Sequence, residues 1–365
     1  MIAWVVGSAF DQGSVDKILV ARLDATLHIT GPVRGIRNLI PGESVEEVDP
    51  SLAPDPSGNG FILAWMERPP KSQGFGRAVY CRLDSDLKPS TPSFLQDFTD
   101  LAAQAIVRSG KTTWITAGTS AWQVQADGSV KDPLYTGMYA NDMVIATDFP
   151  QIVAGHKVKS GTTCASDGRT DVEEGSAVSA QLCRGGFVQL YTYFLQFVSL
   201  YTVSASRTFS FESDVAPAIQ SDGRDVMIAW FRGTQMKGGD VVAMRLQPPA
   251  FASFNQTVEE PRILATFAPD FGLTRPDIAA DGERYVVVWR TIGTPGEHDI
   301  VGASIDRAGN VIPLSIATTI ADDRDPSVIA LGGGRFLVVY EKLNGSDRRI
   351  AGRFVTFENR SRAVR

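Results

Sequence analysis

The stretch Pro276-Asp277-Ile278-Ala279-Ala280-Asp281-Gly282-Glu283-Arg284-Tyr285-Val286-Val287-Val288-Trp289 decides the reading of this chain, because it recurs. Pro217-Ala218-Ile219-Gln220-Ser221-Asp222-Gly223-Arg224-Asp225-Val226-Met227-Ile228-Ala229-Trp230 is a second copy. A third runs from Pro326-Ser327-Val328 through Gly332-Gly333-Gly334 to Tyr340, and a fourth from Pro50-Ser51-Leu52 through Gly58-Asn59-Gly60 to Trp65. Ile2-Ala3-Trp4 is the tail of a fifth. In each copy a Pro opens a short strand, where a missing N–H costs least. A Gly-containing turn follows, since Gly accepts positive φ. An apolar strand ending on an aromatic comes next. Such a run, apolar on both faces, predicts a strand buried between neighbouring sheets.

A further strand repeats after a variable loop: Leu19-Val20-Ala21-Arg22-Leu23-Asp24, Val79-Tyr80-Cys81-Arg82-Leu83-Asp84, Val242-Ala243-Met244-Arg245-Leu246-Gln247 and Val301-Gly302-Ala303-Ser304-Ile305-Asp306. The Asp enters a turn, and a fourth strand such as Val311 to Ile316 follows. The unit is therefore strand A, turn, strand B, variable loop, strand C, turn, strand D, with a period of roughly 50 residues. One such sheet cannot bury both faces alone, whereas sheets stacked radially can. The expected fold is all-β: a single β-propeller domain over residues 1–365, with seven or eight four-stranded blades. The first copy lacks strand A and the last lacks strand D, so closure through the termini is expected. Residues from about 140 to 213 break the pattern and are read as divergent blades.

Composition narrows the function. The 365 residues are 43% hydrophobic and 21% charged, with a net charge of −6, which is globular and unlike a nucleic-acid groove. Three His leave little room for His-rich metal chemistry, and neither a metal nor another cofactor is expected. The uncharged stretch from Gly185 to Ser206 has the length of a membrane helix. Gln189, Thr192, Gln196 and Ser199 interrupt it, and its aromatic and β-branched residues predict two strands instead. The chain opens within a repeat at Met1, which suggests that an upstream signal has been removed and that the protein is extracellular or periplasmic.

Several residues carry potential chemistry, each with a plainer structural explanation beside it. Cys81 aligns with Ala21, Met244 and Ala303 and reads as core rather than nucleophile. Cys164 and Cys183 fit either a disulfide in an oxidising compartment or two free thiols. His298, between Glu297 and Asp299, offers acid–base or ligand chemistry, against an exposed polar loop as the plainer account. His156 has no partner cluster in sequence, and His28 falls in a C–D turn. Asp222-Gly223 and Asp281-Gly282 match a preferred hairpin turn, and Asp24, Asp84 and Asp306 are turn formers. The loop after strand B varies most between copies, and loops on a rigid scaffold commonly carry function. Glu67, Arg68, Arg232, Arg290 and Glu341 are therefore expected around one opening, with His298 in the same class of loop. No nucleophile elbow, P-loop, His-Glu-x-x-His or paired-Cys zinc signature is present.

The unit Pro-x-(Ile/Val)-Ala-x-x-Gly-x-x-(Tyr/Phe) followed by three apolar residues, Trp or Tyr, and the Arg-Leu-Asp strand resembles the repeats of secreted bacterial β-propellers of mostly undefined function. The likeness covers residues 1–97 and 214–365. It implies the fold and leaves the activity open. The resulting expectation is a non-catalytic propeller presenting loops to a carbohydrate or protein ligand, with no nucleic-acid partner. The alternative is a propeller glycosidase or polysaccharide lyase. That needs two carboxylates at the axial mouth about 5–10 Å apart, with Glu67 and Glu341 as first candidates.

Overall fold

In a computed structural model of the protein, the described residues are 1–6, 17–39, 46–68, 76–98, 105–109, 113–117, 120–135, 140–146, 151–157, 176–183, 187–194, 197–202, 218–222, 225–234, 238–246, 262–267, 276–291, 298–345 and 347–357. They form seven small sheets and, among them, no helix. No helix of the described residues is long and apolar enough to cross a membrane. The chain divides into two compact units, residues 1–145 with 165–173, and residues 146–164 with 174–365.

The first unit holds three sheets. One is β1 (Ile2–Val6), β2 (Lys17–Leu23) and β3 (Ile29–Gly35); the next is β4 (Glu46–Pro54), β5 (Phe61–Arg68), β6 (Gly76–Leu83) and β7 (Ser93–Phe98). The third orders β8 (Ala105–Ser109), β9 (Thr113–Ala117), β10 (Ser120–Val124) and β11 (Leu134–Tyr135) as consecutive neighbours. All their pairings are antiparallel, as strands joined by short turns require. The double-sided apolar run of strand B does what its pattern implies. Ile62, Ala64 and Met66 of β5 pack with Ile115, Ala117, Trp122 and Val124 of the following sheet. Leu63 and Trp65, on the opposite face, pack with Ile18 and Val20 of the preceding sheet and with Cys81. Cys81 is thus a buried side chain of a core.

The chain changes unit within β12 (Ala140–Ala146). The second unit opens on β13 (Gln151–Lys157), β14 (Ser176–Cys183), β15 (Phe187–Phe194) and β16 (Phe197–Thr202). The described residues of the uncharged stretch are thus two antiparallel strands, β15 and β16. The divergence of this segment has a topological side, because β13 and β14 pair in parallel. Two regular sheets follow: β17 (Ala218–Ser221), β18 (Val226–Thr234), β19 (Gly238–Leu246), β20 (Arg262–Phe267), and β21 (Asp277–Ala280), β22 (Arg284–Arg290), β23 (Ile300–Asp306), β24 (Val311–Ala317). The last sheet has three strands, β25 (Asp322–Gly332), β26 (Arg335–Asn344) and β27 (Asp347–Thr356). Val286 and Val288 of β22 pack against Val328, Phe336, Val338 and Tyr340 of this sheet.

Two local readings change. Pro50 and Pro326 do not open their strands but lie inside β4 and β25, where the register shifts between Val48 and Ser51 and between Arg324 and Ser327. An irregularity is where a residue without an N–H leaves no ladder bond unmade. The A–B hairpin loop of β21 and β22 is Gly282-Glu283, with Asp281 flanking it: Asp281 N donates to Arg284 O at 3.2 Å, and its Oδ1 accepts Glu283 N and Arg284 N at 2.9 Å each. Gly282 has φ +88°, the conformation that favours Gly. The C–D turns keep the expected Asp. Asp24 Oδ1 accepts Thr26 N at 2.8 Å, Asp84 Oδ1 accepts Lys88 N at 2.8 Å, and Asp306 Oδ1 accepts Asn310 N at 2.8 Å.

The strand-C arginines join successive sheets. Arg22 donates to Ser85 O, Arg82 to Ala126 O at 3.3 Å, and Arg245 to Arg307 O and Asp306 O at 2.6 Å each. Ser85, Ala126 and Arg307 occupy the same place in their C–D turns, one residue after the turn opens. The repeat therefore encodes its own sheet-to-sheet latch.

Candidate functional site

Among the described residues, the richest polar constellation lies in the second unit. It forms where the loop before β23, the connection from β24 to β25 and the end of β26 meet. His298 is buried, not carried on an exposed loop. Its Nδ1 lies 2.6 Å from Asp322 Oδ1, and Asp322 Oδ2 accepts Arg324 Nε at 2.8 Å. Asp323 N donates to His298 O at 2.9 Å, joining the two sheets through the backbone as well. Successive strand residues point to opposite sides. Asp322 therefore faces the imidazole, while Asp323 turns toward Thr319, whose Oγ1 donates to Asp323 Oδ2 at 3.2 Å. Thr319 is the hub of the connection: its N donates to Asp299 Oδ1 at 3.2 Å, and its Oγ1 accepts from Ala321 N at 3.2 Å and Lys342 Nζ at 3.3 Å.

The two adjacent carboxyls are pushed in opposite directions. Burial raises Asp322, but hydrogen bonds from Arg324 and His298 outweigh it and hold this carboxyl below the usual aspartate range. Burial also raises Asp323; the Thr319 hydroxyl and Lys342 pull it down only in part, the like charges of Asp299 and Asp322 push it up, and it stays above that range. The carboxylate at Nδ1 orients the imidazole. Among the described residues, no group of three or more His, Cys, Asp and Glu is arranged to hold a metal ion.

The other expected site residues fall as follows. Glu67 is fully buried at the end of β5 and its Oε1 accepts Leu39 N at 2.7 Å and Trp65 Nε1 at 3.3 Å. Arg68 follows it, opposite Glu46 of β4. Arg290 ends β22 opposite Ile300, and Arg232 lies on β18 opposite Asp240. Glu341, on β26, is 3.4 Å from Arg348 Nη1 and opposite Arg324 of β25. The structure thus brings His298 to Asp322, and Glu341 beside Arg324. Cys164 lies outside the described residues and Cys183 ends β14, so their pairing is not addressed.

Sequence reasoning passed over Asp322, Asp323, Thr319, Arg324 and Lys342. A signal for the acids existed. Asp322-Asp323 stand four and three residues before Pro326, and Glu46-Glu47 stand four and three before Pro50. No such recurrence marks Thr319.

No protein-family model and no curated protein matches the chain. Solved structures similar to it include a Penicillium chrysogenum α-L-arabinanase complexed with arabinobiose, at 11% identity over 85% of this chain and 93% of that one, with a TM-score of 0.42. A streptogramin B lyase shares 11% identity over 98% of each chain, with a TM-score of 0.38. A thermostable family-43 glycoside hydrolase shares 10% identity over 86% of this chain and 91% of that one, with a TM-score of 0.37. Likeness at this level assigns no activity to the chain.

Proposed function

We propose that the chain is a non-catalytic binding propeller of seven or eight blades, closed through its termini and acting outside the cytoplasm. It presents the loops at the ends of strands B and D to a carbohydrate or protein ligand. The observation that supports this reading is the state of the carboxyls that catalysis would need. Glu67 is turned inward onto Leu39 N and Trp65 Nε1, Glu341 faces Arg348, and Asp322 is held between His298 and Arg324. A glycosidase needs one carboxyl free to protonate a leaving group and a second free to attack or to activate water. Here the candidate carboxyls bind parts of the fold itself, while the loops that vary between repeats stand at the strand ends.

The test is a broad glycan array together with affinity capture from extracellular material, run beside reducing-end release from the same glycans. Retention of a defined ligand class without bond cleavage is expected. Release of reducing ends that is lost in Glu67→Gln or Glu341→Gln would establish the glycosidase instead. Empty results in both binding arms would remove the binding reading.

A further inference from the structure

The chain holds two Asn-Gly pairs, Asn59-Gly60 and Asn344-Gly345. The first lies in the turn from β4 to β5 and the second in the turn from β26 to β27, and both asparagines are exposed. An Asn-Gly pair carries its own reaction. The backbone nitrogen of the glycine can attack the carboxamide carbon of the asparagine before it. Glycine has no Cβ to obstruct that approach, and it has the widest choice of φ and ψ. The peptide must rotate to bring the two atoms together. The fold grants that freedom to one pair and withholds it from the other.

Gly60 is held. Its carbonyl accepts Asp55 N at 3.0 Å, and Gly58 N donates to Asp55 O at 2.9 Å across the same turn. The Asp55 carboxylate accepts Ser57 N at 2.7 Å and Arg82 Nε and Nη2 at 2.6 and 2.8 Å, which fixes the turn to β6. A Cβ at Gly60 would stand 1.9 Å from Leu83 O and 3.1 Å from Asp84 Cα, so the end of β6 lies directly against it. Gly345 is open. Asn344 and Asp347 are the outermost pair of the β26–β27 ladder, and the loop between them is Gly345-Ser346. Gly345 has φ +63°, and a Cβ there would meet nothing within 4 Å. Two-residue hairpin loops of the favoured types need positive φ at their first position. The turn therefore selects Gly at 345, and the same choice leaves the attacking nitrogen unobstructed.

We propose that Asn344-Gly345 is a site of spontaneous backbone modification, and that Asn59-Gly60 is protected from the same reaction by its packing. Gly345 N gives its proton to solvent and bonds to Asn344 Cγ. The carboxamide nitrogen takes up a proton and leaves as ammonia, which closes a cyclic imide. Water then opens the imide at either carbonyl and yields aspartate or isoaspartate at 344. The net change consumes one water and releases one ammonia. The isoaspartate branch runs the backbone through Cβ and adds a methylene to the shortest of loops, so the pair that closes the hairpin is lost. The β26–β27 turn is one of the strand-end loops that the proposed function assigns to ligand, but the modification does not depend on that reading.

The test ages the full chain at neutral pH, native and in urea, and follows isoaspartate at both pairs by peptide mapping and by isoaspartyl methyl transfer. In the native chain, conversion at Asn344 is expected at least tenfold faster than at Asn59. In urea the two rates should converge to within about twofold, because the sequences at the reacting atoms are the same. Asn344→Gln should remove the fast phase and leave the slow one. Amide exchange reads the effect on the hairpin. Phe357 N bonds Gly334 O, so by the alternation of the unbroken ladder Asp347 N and Val338 N are also ladder donors. In the isoaspartate form Asp347 should lose protection at least tenfold while Val338 keeps it. Equal native rates at the two pairs, or a faster rate at Asn59, would overturn the proposal. A preference for Asn344 that persists undiminished in urea would do the same, by tracing it to sequence rather than fold. Unchanged protection at Asp347 in the isoaspartate form would overturn the effect on the hairpin.

Discussion

Arg245 reaches out of its own sheet to place Nη2 2.6 Å from the carbonyl oxygen of Asp306 in the next, while Nη1 meets Arg307 O at 2.6 Å. The aspartate that opens a C–D turn thus organises its own loop through its side chain and offers its backbone carbonyl to the preceding sheet.

Removing that latch should be costly. Hydrogen bonds from a charged donor contribute about 1.5–3 kcal/mol each way of counting, and the stem of Arg245 is mostly buried. Arg245→Leu is expected to lower unfolding free energy by about 2 kcal/mol, measured as a shift in urea midpoint at unchanged slope. Arg22→Leu, at an exposed arginine, should cost less than about 1 kcal/mol. Equal effects at the two positions would contradict a latch strengthened by burial.

The paired aspartates predict opposite pH dependences. Asp322 has a folded pKa below its unfolded value. Its contribution is present above the ordinary aspartate pKa and is lost as pH falls through the depressed folded value. Asp322→Asn should therefore lower Tm at neutral pH, with the gap to the native chain closing on acidification. Asp323, raised chiefly by burial, contributes favourably below the ordinary aspartate pKa, and that contribution is lost as pH rises through its raised folded value. Asp323→Asn should accordingly match or exceed the native Tm at neutral pH and lose any advantage in acid. Thermal scans of the three proteins across pH check both signs.

Glu67 distinguishes a structural acid from a reactive one. Glu67→Ala deletes the acceptor of Leu39 N and leaves a donor unsatisfied, at about 1–3 kcal/mol. Glu67→Gln keeps an acceptor oxygen and should recover at least half of that loss in a denaturant titration. Ligand retention on an array should be the same for native chain and Glu67→Gln.

The fold was legible because its signal is written several times. Trp65, Trp230, Trp289 and Tyr340 hold equivalent places in the second strand of their sheets, and each is buried. Cys81 was readable as core from its alignment alone. The arginine of strand C was visible as a repeat, but its role was not, because the acceptors are backbone carbonyls some 44 to 63 residues away and carry no residue-type signature. His298 was singled out and its environment missed. Its partner Asp322 lies 24 residues on, across a connection of variable sequence, and adjacency to Glu297 and Asp299 pointed to the wrong neighbours. The parallel pairing of β13 with β14 was equally hidden, since hydrophobic alternation does not encode strand direction.

The functional reading rests on one claim: that all the sheets close into a single propeller whose strand-end loops share a face. Small-angle X-ray scattering of the monomer tests it directly. A compact single domain of 365 residues has a radius of gyration of about 21 Å. The account predicts that value with one symmetric maximum in the distance distribution. A clearly larger radius with a second, longer-distance maximum would contradict it.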